Sequence, residues 1–506
     1  MSFMNAMKIE MLENFNQSVT ENGAVGYRTT GKSLLDINFA VASLRSASEN
    51  EVIERFKRAF FEDKILAMKW LFFARDIRGG LGERRLFRTA MSFVADYEPA
   101  MVEKVIPLIP EYGRFDDMWA LLDDEKLRPV VMEYVKKQLE SDIHNCNENK
   151  PVSLLAKWLP SCNASSASSK KYSKIIRQCL DMTESAYRKT LSWLRKYIDV
   201  VEVKMSAKQW GDIKYEAVPS RANLIYNDAF LRNDEERRRE FLAQLEKGEV
   251  KINAGTLFPH DIVHKYCNGG YRNLKAYDAT IEGLWKSLPD LVDGCGNTIV
   301  VADGSGSMTV SVGGTSTTAL EVANALAIYF AERSSGEFKD KYITFSSRPQ
   351  FVDFSRGQSL RDKISIALGH NEISNTNIEA VFDLILSTAV RNNMRQEDIP
   401  ANILIISDME FDCATTGRIG ANLFKTIEAK YRNYGYKLPR LVFWNVNSRT
   451  NTIPVRENDM GVALVSGFSV NICKMVMSCK TDPFECLLET LNSERYQPVE
   501  DALKGE

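Results

Sequence analysis

The chain has 506 residues, and its 65 Lys and Arg nearly balance its 67 Asp and Glu, which gives a formal net charge of −2. This balance argues against a uniformly basic nucleic-acid binder but leaves room for a local basic patch. The length allows two or three domains. No signal peptide and no apolar run of membrane-spanning length is found, so we expect no membrane partner.

The cysteine pattern points to reduced thiols. Nine cysteines are scattered along the chain without a Cys-x-x-Cys pair. This pattern fits a reducing compartment better than a disulfide framework or a zinc knuckle. We therefore expect a cytoplasmic protein.

Residues 1–34 are polar, and we interpret them as an N-terminal arm. Within them, Gly26-Tyr-Arg-Thr-Thr-Gly31-Lys32-Ser33 matches the phosphate-binding loop Gly-x4-Gly-Lys-Ser. That motif requires a buried strand before it and a helix after it, because the strand holds the loop at a sheet edge. Residues 14–24 are too polar for such a strand, so we predict that no nucleoside triphosphate binds here.

Residues 35–288 have the pattern of an almost wholly helical domain. Apolar residues recur at i, i+3 and i+4 spacing, separated by Gly, Pro or Asp. The predicted helices include 51–61, 65–75, 83–96, 100–108, 115–122 and 129–138. A succession of short amphipathic helices resembles an α-solenoid of the HEAT type.

Two stretches of this domain are candidates for phosphate contacts. In residues 75–85 the candidates are Arg78, Arg84 and Arg85, with a capped, solvated turn as an equally good interpretation. Residues 150–214 are rich in Lys and Arg interleaved with Trp and Tyr, a composition that suits neutralisation of phosphates and stacking on unpaired bases. The candidate residues in that stretch are Lys170, Lys171, Lys174, Arg177, Arg188, Lys189, Arg195 and Lys196. Aromatic residues at helical spacing are more often core, so the exposure of this stretch decides between the two interpretations.

A pair of histidines, His260 and His264, lies one helical turn apart as in a zinc helix. However, Asp261 replaces the glutamate that acts as general base in the His-Glu-x-x-His motif, and Pro259 marks an ordinary helix start. No nucleophile–base pair emerges elsewhere. We therefore expect a protein that is not an enzyme.

Residues 289–506 alternate strands and helices, which predicts a doubly wound α/β sheet with ligands at the carboxyl ends of its strands. The β-branched run 299–301 leads into Asp303-Gly-Ser305-Gly-Ser307, and the buried run 402–407 leads into Asp408. Thr376 lies at the start of a helix between them. We expect the oxygens of these five side chains to converge on one Mg²⁺, Mn²⁺ or Ca²⁺ ion.

This set resembles the metal-ion-dependent adhesion site of von Willebrand factor A domains, which have Asp-x-Ser-x-Ser, a later Thr and a later Asp in the same order. The resemblance implies that Ser305 and Ser307 bind the metal directly, and that Asp303 and Asp408 bind it directly or through water. Thr376 would join in some states. The Gly/Ser/Thr-rich insert 310–318 departs from the family pattern and obscures where the following helix begins.

Residues 75–85, 155–161, 187–205, 210–222 and 461–469 resemble the DUF2828 family, which is found in plants, viruses and bacteriophages. That family is similar to the TROVE module of Ro ribonucleoproteins, a ring of helical repeats joined to a von Willebrand factor A domain. The resemblance implies a non-enzymatic protein that binds structured RNA or RNA ends. The alternative is a protein-interaction or assembly module, of viral or phage origin, in which the metal captures a carboxylate of an acidic partner.

Overall fold

The computed structural model divides the chain into two units, each built from segments that are distant in sequence. It describes residues 3, 4, 7, 11, 15–267, 273–292, 297–345, 348–371, 377–412, 423–456, 461–473 and 482–505. Residues 1–64 and 257–491 form one unit, which we call the sheet unit, and residues 65–256 and 492–506 form the other, the helical unit. The domains predicted from the composition along the chain are 1–34, 35–288 and 289–506. Their boundaries differ from those of the sheet unit and the helical unit.

The strands of the described residues fall into two sheets. A small antiparallel hairpin pairs β1 with β2, and a six-stranded sheet has the order β5-β4-β3-β6-β7-β8. The strands are β1 Gln17–Val19, β2 Val25–Tyr27, β3 Thr298–Asp303, β4 Lys341–Phe345, β5 Gln350–Asp353, β6 Asn402–Ser407, β7 Arg440–Asn445 and β8 Val462–Ser466. Within the large sheet only the pairing of β5 with β4 is antiparallel.

The α-helices are α1 Ser33–Leu44, α2 Glu49–Glu62, α3 Lys64–Arg75, α4 Arg84–Tyr97, α5 Pro99–Val105, α6 Ile109–Tyr112, α7 Leu127–Asn147, α8 Leu155–Trp158, α9 Ala167–Cys179, α10 Glu184–Tyr197, α11 Val201–Ser206, α12 Ser220–Asn233, α13 Glu235–Glu246, α14 Pro259–Cys267, α15 Ala279–Lys286, α16 Ala319–Arg333, α17 Leu360–Gly369, α18 Ile378–Arg391, α19 Leu423–Asn433, α20 Pro483–Leu491 and α21 Gln497–Lys504. The 3-10 helices are Ile106–Leu108, Phe115–Asp123, Trp210–Asp212, Tyr215–Ala217, Gly306–Thr309, Gly336–Phe338, Gln396–Asp398, Val470–Ile472 and Glu494–Tyr496. In the part of the chain described, no helix is both long enough and apolar enough to cross a bilayer.

The central strands of the large sheet have the composition that burial on both faces requires. Every residue of β3 and of β6 is buried, and both strands are rich in Val and Ile. The chain adds β4 and β5 on one side of β3, and then β6, β7 and β8 on the other. The strand order therefore reverses between β3 and β6, and in such sheets ligands bind at the carboxyl ends of the strands at this switch point. The predicted mostly parallel α/β sheet is confirmed.

The first helices belong to the sheet unit because α1 is apolar on most of its surface. Nine of its twelve residues are buried, so it needs contacts on more than one side. Two hydrogen bonds attach it to the carboxyl ends of the last strands. The Ala42 N–H donates to Ser466 Oγ at 2.9 Å, and Asn445 Nδ2 donates to the Phe39 carbonyl at 2.8 Å.

The helical unit confirms the helical character predicted for residues 65–256. The helix periodicity locates α3, α4 and α5 to within a few residues. Residues 115–123 form a 3-10 helix instead of the predicted α-helix, and Pro107 and Pro110 break the segment before it into short pieces. The last helix, α21, packs on α5 and so brings the C-terminal residues back to this unit. The HEAT-type solenoid stays a prediction.

Candidate functional site

Four of the five predicted metal ligands lie together at the carboxyl ends of β3 and β6. Because Ala302 is in register with Ile406, the two strands end side by side. Asp303 Oδ1 accepts a hydrogen bond from the Ser305 N–H at 2.9 Å, and the Oγ atoms of Ser305 and Ser307 are 2.9 Å apart. Ser307 also hydrogen-bonds to Asp408. We call Asp303, Ser305, Ser307 and Asp408 the acidic rim. The fifth predicted ligand, Thr376, lies outside the described residues.

The loop that follows Asp303 and carries Ser305 and Ser307 passes very close to Asn371. A Cβ atom placed on Gly304 would lie only 2.9 Å from Asn371 Oδ1, so a larger residue here would force the Asn371 side chain to shift. The Nδ2 atom of Asn371 is buried and has no hydrogen-bond partner among the described residues. Asn371 therefore adds an amide, not foreseen from the sequence, to the surroundings of the loop.

The two carboxyl groups of the acidic rim are costly to ionise as they stand. Burial raises the pKa of Asp303 to about 7, and the negative charge of Asp408 adds to this rise. Burial likewise raises the pKa of Asp408, although its hydrogen bond from Ser307 and the nearby Arg449 act in the opposite direction. A cation between two such carboxylates would balance charges that burial disfavours.

The chemistry of the donor set fits a hard divalent cation. Two carboxylates and two hydroxyls are the oxygen ligands that Mg²⁺, Mn²⁺ and Ca²⁺ prefer. Within the described ranges there is no group of three or more His, Cys, Asp or Glu suited to a metal ion, so binding at the acidic rim would depend on the serine hydroxyls. A bound ion would act as a Lewis acid and as a point of attachment for an oxygen of an incoming ligand.

A second layer of residues, which the sequence interpretation missed, supports the acidic rim. Ser407 Oγ donates to Asp303 Oδ2 at 2.7 Å and thereby fixes that carboxyl group. Arg449 Nη2 lies 3.5 Å from Asp408 Oδ2. Arg449 follows β7, the strand next to β6, so only the sheet order brings it to this edge.

The most heavily bonded member of this layer is Glu410, which is fully buried. Its Oε1 accepts from the N–H groups of Arg449 and Thr450 at 2.8 and 2.9 Å, and its Oε2 accepts from the Glu21 N–H at 2.9 Å. The hydroxyls of Ser448 and Thr450 add further bonds. One carboxylate thus holds both the loop after β7 and the turn of the N-terminal hairpin.

The hairpin turn places another carboxylate close to the acidic rim. Glu21 Oε2 lies 2.5 Å from Arg449 Nη2, the same nitrogen that faces Asp408. The turn is fixed by Thr20, whose Oγ1 donates to the Phe411 carbonyl at 2.6 Å, and by Asn22, whose Nδ2 donates to the Glu410 carbonyl at 2.7 Å. The predicted N-terminal arm therefore includes an ordered hairpin that packs beside the candidate metal site.

In the helical unit, most candidate basic residues of α9 and α10 face solvent. The exposed side chains that form no ion pair with the described residues are Lys170, Lys174, Arg188, Lys189 and Lys196, and we call this set the basic surface. Lys171 is also exposed and pairs with Asp123 at 2.6 Å. Trp193, on the same helix as Lys189 and Lys196, is 41% exposed. These residues fit the interpretation of an exposed surface.

Two of the predicted basic contacts serve the local fold instead. The guanidinium of Arg195 donates to the carbonyls of Ala156 and Leu159 at 2.8 and 2.6 Å and to Ser161 Oγ at 2.9 Å. Arg177 Nη1 donates to the Met182 carbonyl at 3.3 Å, across the turn that ends its helix. These arginines satisfy carbonyl groups that lack helical partners, which the sequence does not show because the acceptors belong to the backbone.

The arginines of residues 75–85 divide in a similar way. Arg78 and Arg85 are exposed, whereas Arg84 binds the carboxylates of Asp116 and Asp117. Three further arginines bind the same two carboxylates: Arg75, Arg88 and Arg114. We call these four arginines the arginine cluster. The sequence interpretation missed Arg88 and Arg114 because they lie outside the glycine-rich stretch that drew attention to Arg84.

The segment that matches a phosphate-binding loop has its backbone N–H groups already bonded to protein acceptors. The N–H groups of Thr30 and Ser33 donate to the carboxylates of Asp36 and Glu62, at 2.7 and 2.8 Å. Lys32 lies 3.9 Å from Glu62. A phosphate in this loop would have to displace two carboxylates, so the geometry favours the prediction of no nucleotide binding.

The histidine pair also has local partners. His264 Nδ1 lies 2.8 Å from Glu321 Oε2, and its Nε2 lies 3.0 Å from Ser316 Oγ. His260 is buried and packs against the rings of Phe258 and Phe468. Both ring nitrogens of His264 are therefore engaged, which favours a structural role.

Two families match the chain. Residues 20–108 and 163–297 match DUF2828, and residues 297–501 match DUF7788; both are described as domains of unknown function. The "Uncharacterized protein L728" of Acanthamoeba polyphaga mimivirus is 28% identical over 530 residues, covering 96% of this chain and 89% of that protein. The solved Ro (RSR) protein of Deinococcus radiodurans aligns over 83% of this chain and 92% of that chain, with 14% identity and a TM-score of 0.43. The resemblance to DUF2828 is confirmed over these residues, and the part of the chain that follows them is similar to DUF7788.

Proposed function

We propose that this chain is a non-enzymatic RNA-binding protein and that the basic surface on α9 and α10 supplies its main RNA contacts. The observation that carries this proposal is the exposure of Lys170, Lys174, Arg188, Lys189 and Lys196 without ion pairs among the described residues. In a chain with a net charge of −2, an unpaired basic surface is a local feature that attracts anionic ligands. The resemblance to the TROVE module, drawn from the sequence, supports RNA as that ligand.

Aromatic side chains on the same helices suit unpaired bases. Trp193 exposes much of its ring, and Tyr172 lies partly exposed beside Lys171. Bases of any sequence stack on such rings, and lysines nearby neutralise the phosphates. We therefore propose single-stranded segments, such as RNA ends or loops, as the parts of the RNA that this surface contacts.

The test is the salt dependence of RNA binding by wild type and by a variant in which Lys170, Lys171 and Lys174 are replaced by Gln. Three lost phosphate contacts should reduce the slope of log affinity against log salt by about 2, since each contributes about 0.7 with a single strand. Between about 50 and 200 mM salt, wild type should then lose roughly 20-fold more affinity than the variant.

A control variant removes three exposed basic residues elsewhere in the helical unit, Arg239 within α13 and Lys247 and Lys251 after it. This variant should keep the wild-type slope. An affinity that ignores salt, or an equal change in both variants, would contradict RNA binding by the basic surface. It would favour the alternative, a protein-interaction or assembly module.

We propose further that the acidic rim binds Mg²⁺ or Mn²⁺, with Ca²⁺ as a third candidate, in a von Willebrand factor A-like domain. The convergence of Asp303, Ser305, Ser307 and Asp408 at the switch point of a doubly wound sheet supports this proposal. A ligand oxygen would complete the coordination of the ion, and a carboxylate of an acidic protein partner is one source of that oxygen.

Calorimetric titration with Mg²⁺ and Mn²⁺ tests the metal proposal. Wild type should bind at least one of the ions, and Asp303→Ala should abolish binding while the fold is retained. Asp353→Ala, which removes an exposed carboxylate at the edge of the same sheet, serves as the control and should bind as wild type does. Identical null titrations for wild type and Asp303→Ala would show that the rim holds no metal.

A further inference from the structure

The arginine cluster of the helical unit gathers more positive than negative charge around one point. Helix α4 supplies Arg84 and Arg88, the end of α3 supplies Arg75, and Arg114 precedes the 3-10 helix that carries Asp116 and Asp117. Asp117 accepts from the Nε atoms of Arg75 and Arg88 at 2.7 and 2.8 Å. Four guanidinium groups face two carboxylates, so the cluster carries an excess of two positive charges.

The positive charge of the cluster faces outward. The side chain of Asp117 is fully buried, and that of Asp116 is 17% exposed. The side chains of Arg84, Arg88 and Arg114 are 40%, 32% and 31% exposed. The carboxylates therefore orient the three arginines from behind, and the solvent side presents guanidinium groups. An anion that approaches from solvent meets positive charge first.

The hydrogen-bond capacity of the three exposed arginines is not used up. Arg84 and Arg88 donate through Nε and Nη2, and neither donates through Nη1 to any described residue. The Nε of Arg114 and the Oδ1 of Asp116 are buried 3.1 Å apart, yet neither has an aligned hydrogen bond. Burial and the charges of Arg84 and Arg75 lower the pKa of Arg114, and a bound anion would reduce that repulsion.

An aromatic ring lies directly beside these groups. The guanidinium of Arg114 lies over Trp158, 4.1 Å from the ring centroid. The backbone of Trp158 is held by Trp119, whose Nε1 donates to the Trp158 carbonyl at 3.3 Å. The site thus offers guanidinium donors for a phosphate and a stacked Arg–Trp pair for a base, the two groups that make up a nucleotide.

The cluster and the basic surface share one structural support. The 3-10 helix that begins next to Arg114 ends at Asp123, whose carboxylate pairs with Lys171 and accepts from the Tyr172 hydroxyl at 3.0 Å. The same 3-10 helix therefore supplies carboxylates to the arginine cluster at its start and to α9 at its end.

We propose that Arg84, Arg88 and Arg114 form a phosphate-binding site that holds one phosphate of a nucleic-acid strand, with Trp158 beside its base. The RNA part of this inference rests on the proposed function. Binding of a phosphate group as such does not rest on it, because free inorganic phosphate has the same charge and oxygen atoms as a phosphate of RNA. A planar guanidinium group can donate two parallel hydrogen bonds to two oxygens of the same phosphate. This geometry suits a discrete binding site better than a diffuse charged surface.

The experiment measures binding of a labelled oligo(U) RNA of about ten nucleotides by fluorescence anisotropy and, separately, the thermal shift caused by inorganic phosphate. Arg114→Gln should weaken RNA binding by about tenfold or more, as expected for a lost charged hydrogen bond, and should reduce the phosphate-induced shift. Arg239→Gln, which removes an exposed arginine of α13, should leave both unchanged. Arg84→Gln, at the more exposed arginine, provides a second variant if Arg114→Gln does not fold.

The variant Asp116→Asn distinguishes a phosphate-binding site from an ion-pair network that only stabilises the fold. It removes a negative charge behind the arginines, so a phosphate site should bind RNA and phosphate severalfold more tightly. If Asp116→Asn weakens both, as Arg114→Gln does, the cluster is only a structural ion network and the proposal is overturned.

The remaining outcomes distinguish this inference from the proposed function. RNA binding that is intact in Arg114→Gln and in Arg84→Gln would overturn the phosphate site. It would leave RNA binding by α9 and α10 standing. Phosphate-induced stabilisation that Arg114→Gln removes, in a protein that binds no RNA, would support the site for free phosphate and contradict the proposed function. Binding of neither ligand by wild type would overturn both.

Discussion

Replacement of Glu410 by Gln should release the N-terminal hairpin from its place beside the acidic rim. The buried carboxylate accepts from the N–H groups of Glu21, Arg449 and Thr450. A Gln side chain can keep its carbonyl oxygen on the two N–H groups of the loop. Its amide NH₂ would then face the Glu21 N–H, where donor meets donor. The mutation therefore removes one charge-assisted hydrogen bond and leaves a backbone N–H without an acceptor.

The loss of a hydrogen bond to a charged group costs about 1.5–3 kcal/mol. If the hairpin opens locally, this cost corresponds to roughly 10- to 100-fold faster amide exchange, since each 1.4 kcal/mol is tenfold in an equilibrium. Hydrogen–deuterium exchange of a peptide that covers residues 15–27 measures this change directly. Exchange in the strands β3 and β6 should change less, because their ladder bonds do not involve Glu410.

The control for this experiment is Glu428→Gln, which removes an exposed carboxylate paired with Arg432 on a helix of the same unit. Such surface pairs contribute little, so hairpin exchange should stay at the wild-type rate. If Glu410→Gln also exchanges at the wild-type rate, the carboxylate does not hold the hairpin and the reasoning is refuted.

Three further predictions concern the sheet unit. The pKa of Asp303 in the folded protein is raised to about 7. The folded metal-free protein therefore binds more protons than the unfolded chain between about pH 4 and 7. Its free energy of unfolding should fall as pH rises through that range. Mg²⁺ binds the ionised carboxylate, so stabilisation of the protein by Mg²⁺ in thermal unfolding should grow as pH rises through about 7. Stabilisation that does not depend on pH, or that is equal in Asp303→Asn, would contradict the metal site. Lys32→Ala should leave RNA binding unchanged, and ATP should not shift the unfolding temperature of wild type; an ATP-dependent shift that Lys32→Ala removes would restore the nucleotide-binding interpretation of Gly26–Ser33.

The sequence predicts the central part of the sheet unit well because buried parallel strands carry their signal locally. The runs that became β3 and β6 are apolar and β-branched, and each is followed at once by the residues of the acidic rim. Neighbouring strands of a doubly wound sheet end at one edge. The local pattern was therefore enough to place Asp303 and Asp408 together.

Long-range partners could not be predicted in this way. Glu410 lies only two residues from Asp408, but its donors come from the loop after β7 and from a turn almost 400 residues earlier. The side chain of Arg449 reaches Asp408 only because β7 lies next to β6. Without an observed sheet order, nothing in the sequence links these residues.

The same limit explains why the predicted basic residues differ in exposure and in partners. Charge composition identifies α9 and α10, and Lys170 and Lys189 are indeed exposed. Composition cannot distinguish them from Arg195, whose acceptors are backbone carbonyls of a neighbouring segment. Nor does composition reveal Arg114, which joins the arginine cluster through the 3-10 helix that follows it.

The most direct test of the central claim is ultraviolet crosslinking of the purified protein to single-stranded RNA, followed by mass spectrometry of the crosslinked peptides. The account predicts nucleotide adducts on peptides of α9 and α10, at Tyr172 or Trp193, and at Trp158 beside the arginine cluster. These adducts should decrease in the variant that lacks Lys170, Lys171 and Lys174. An absence of adducts, or adducts confined to peptides of residues 297–491, would contradict RNA binding by the helical unit.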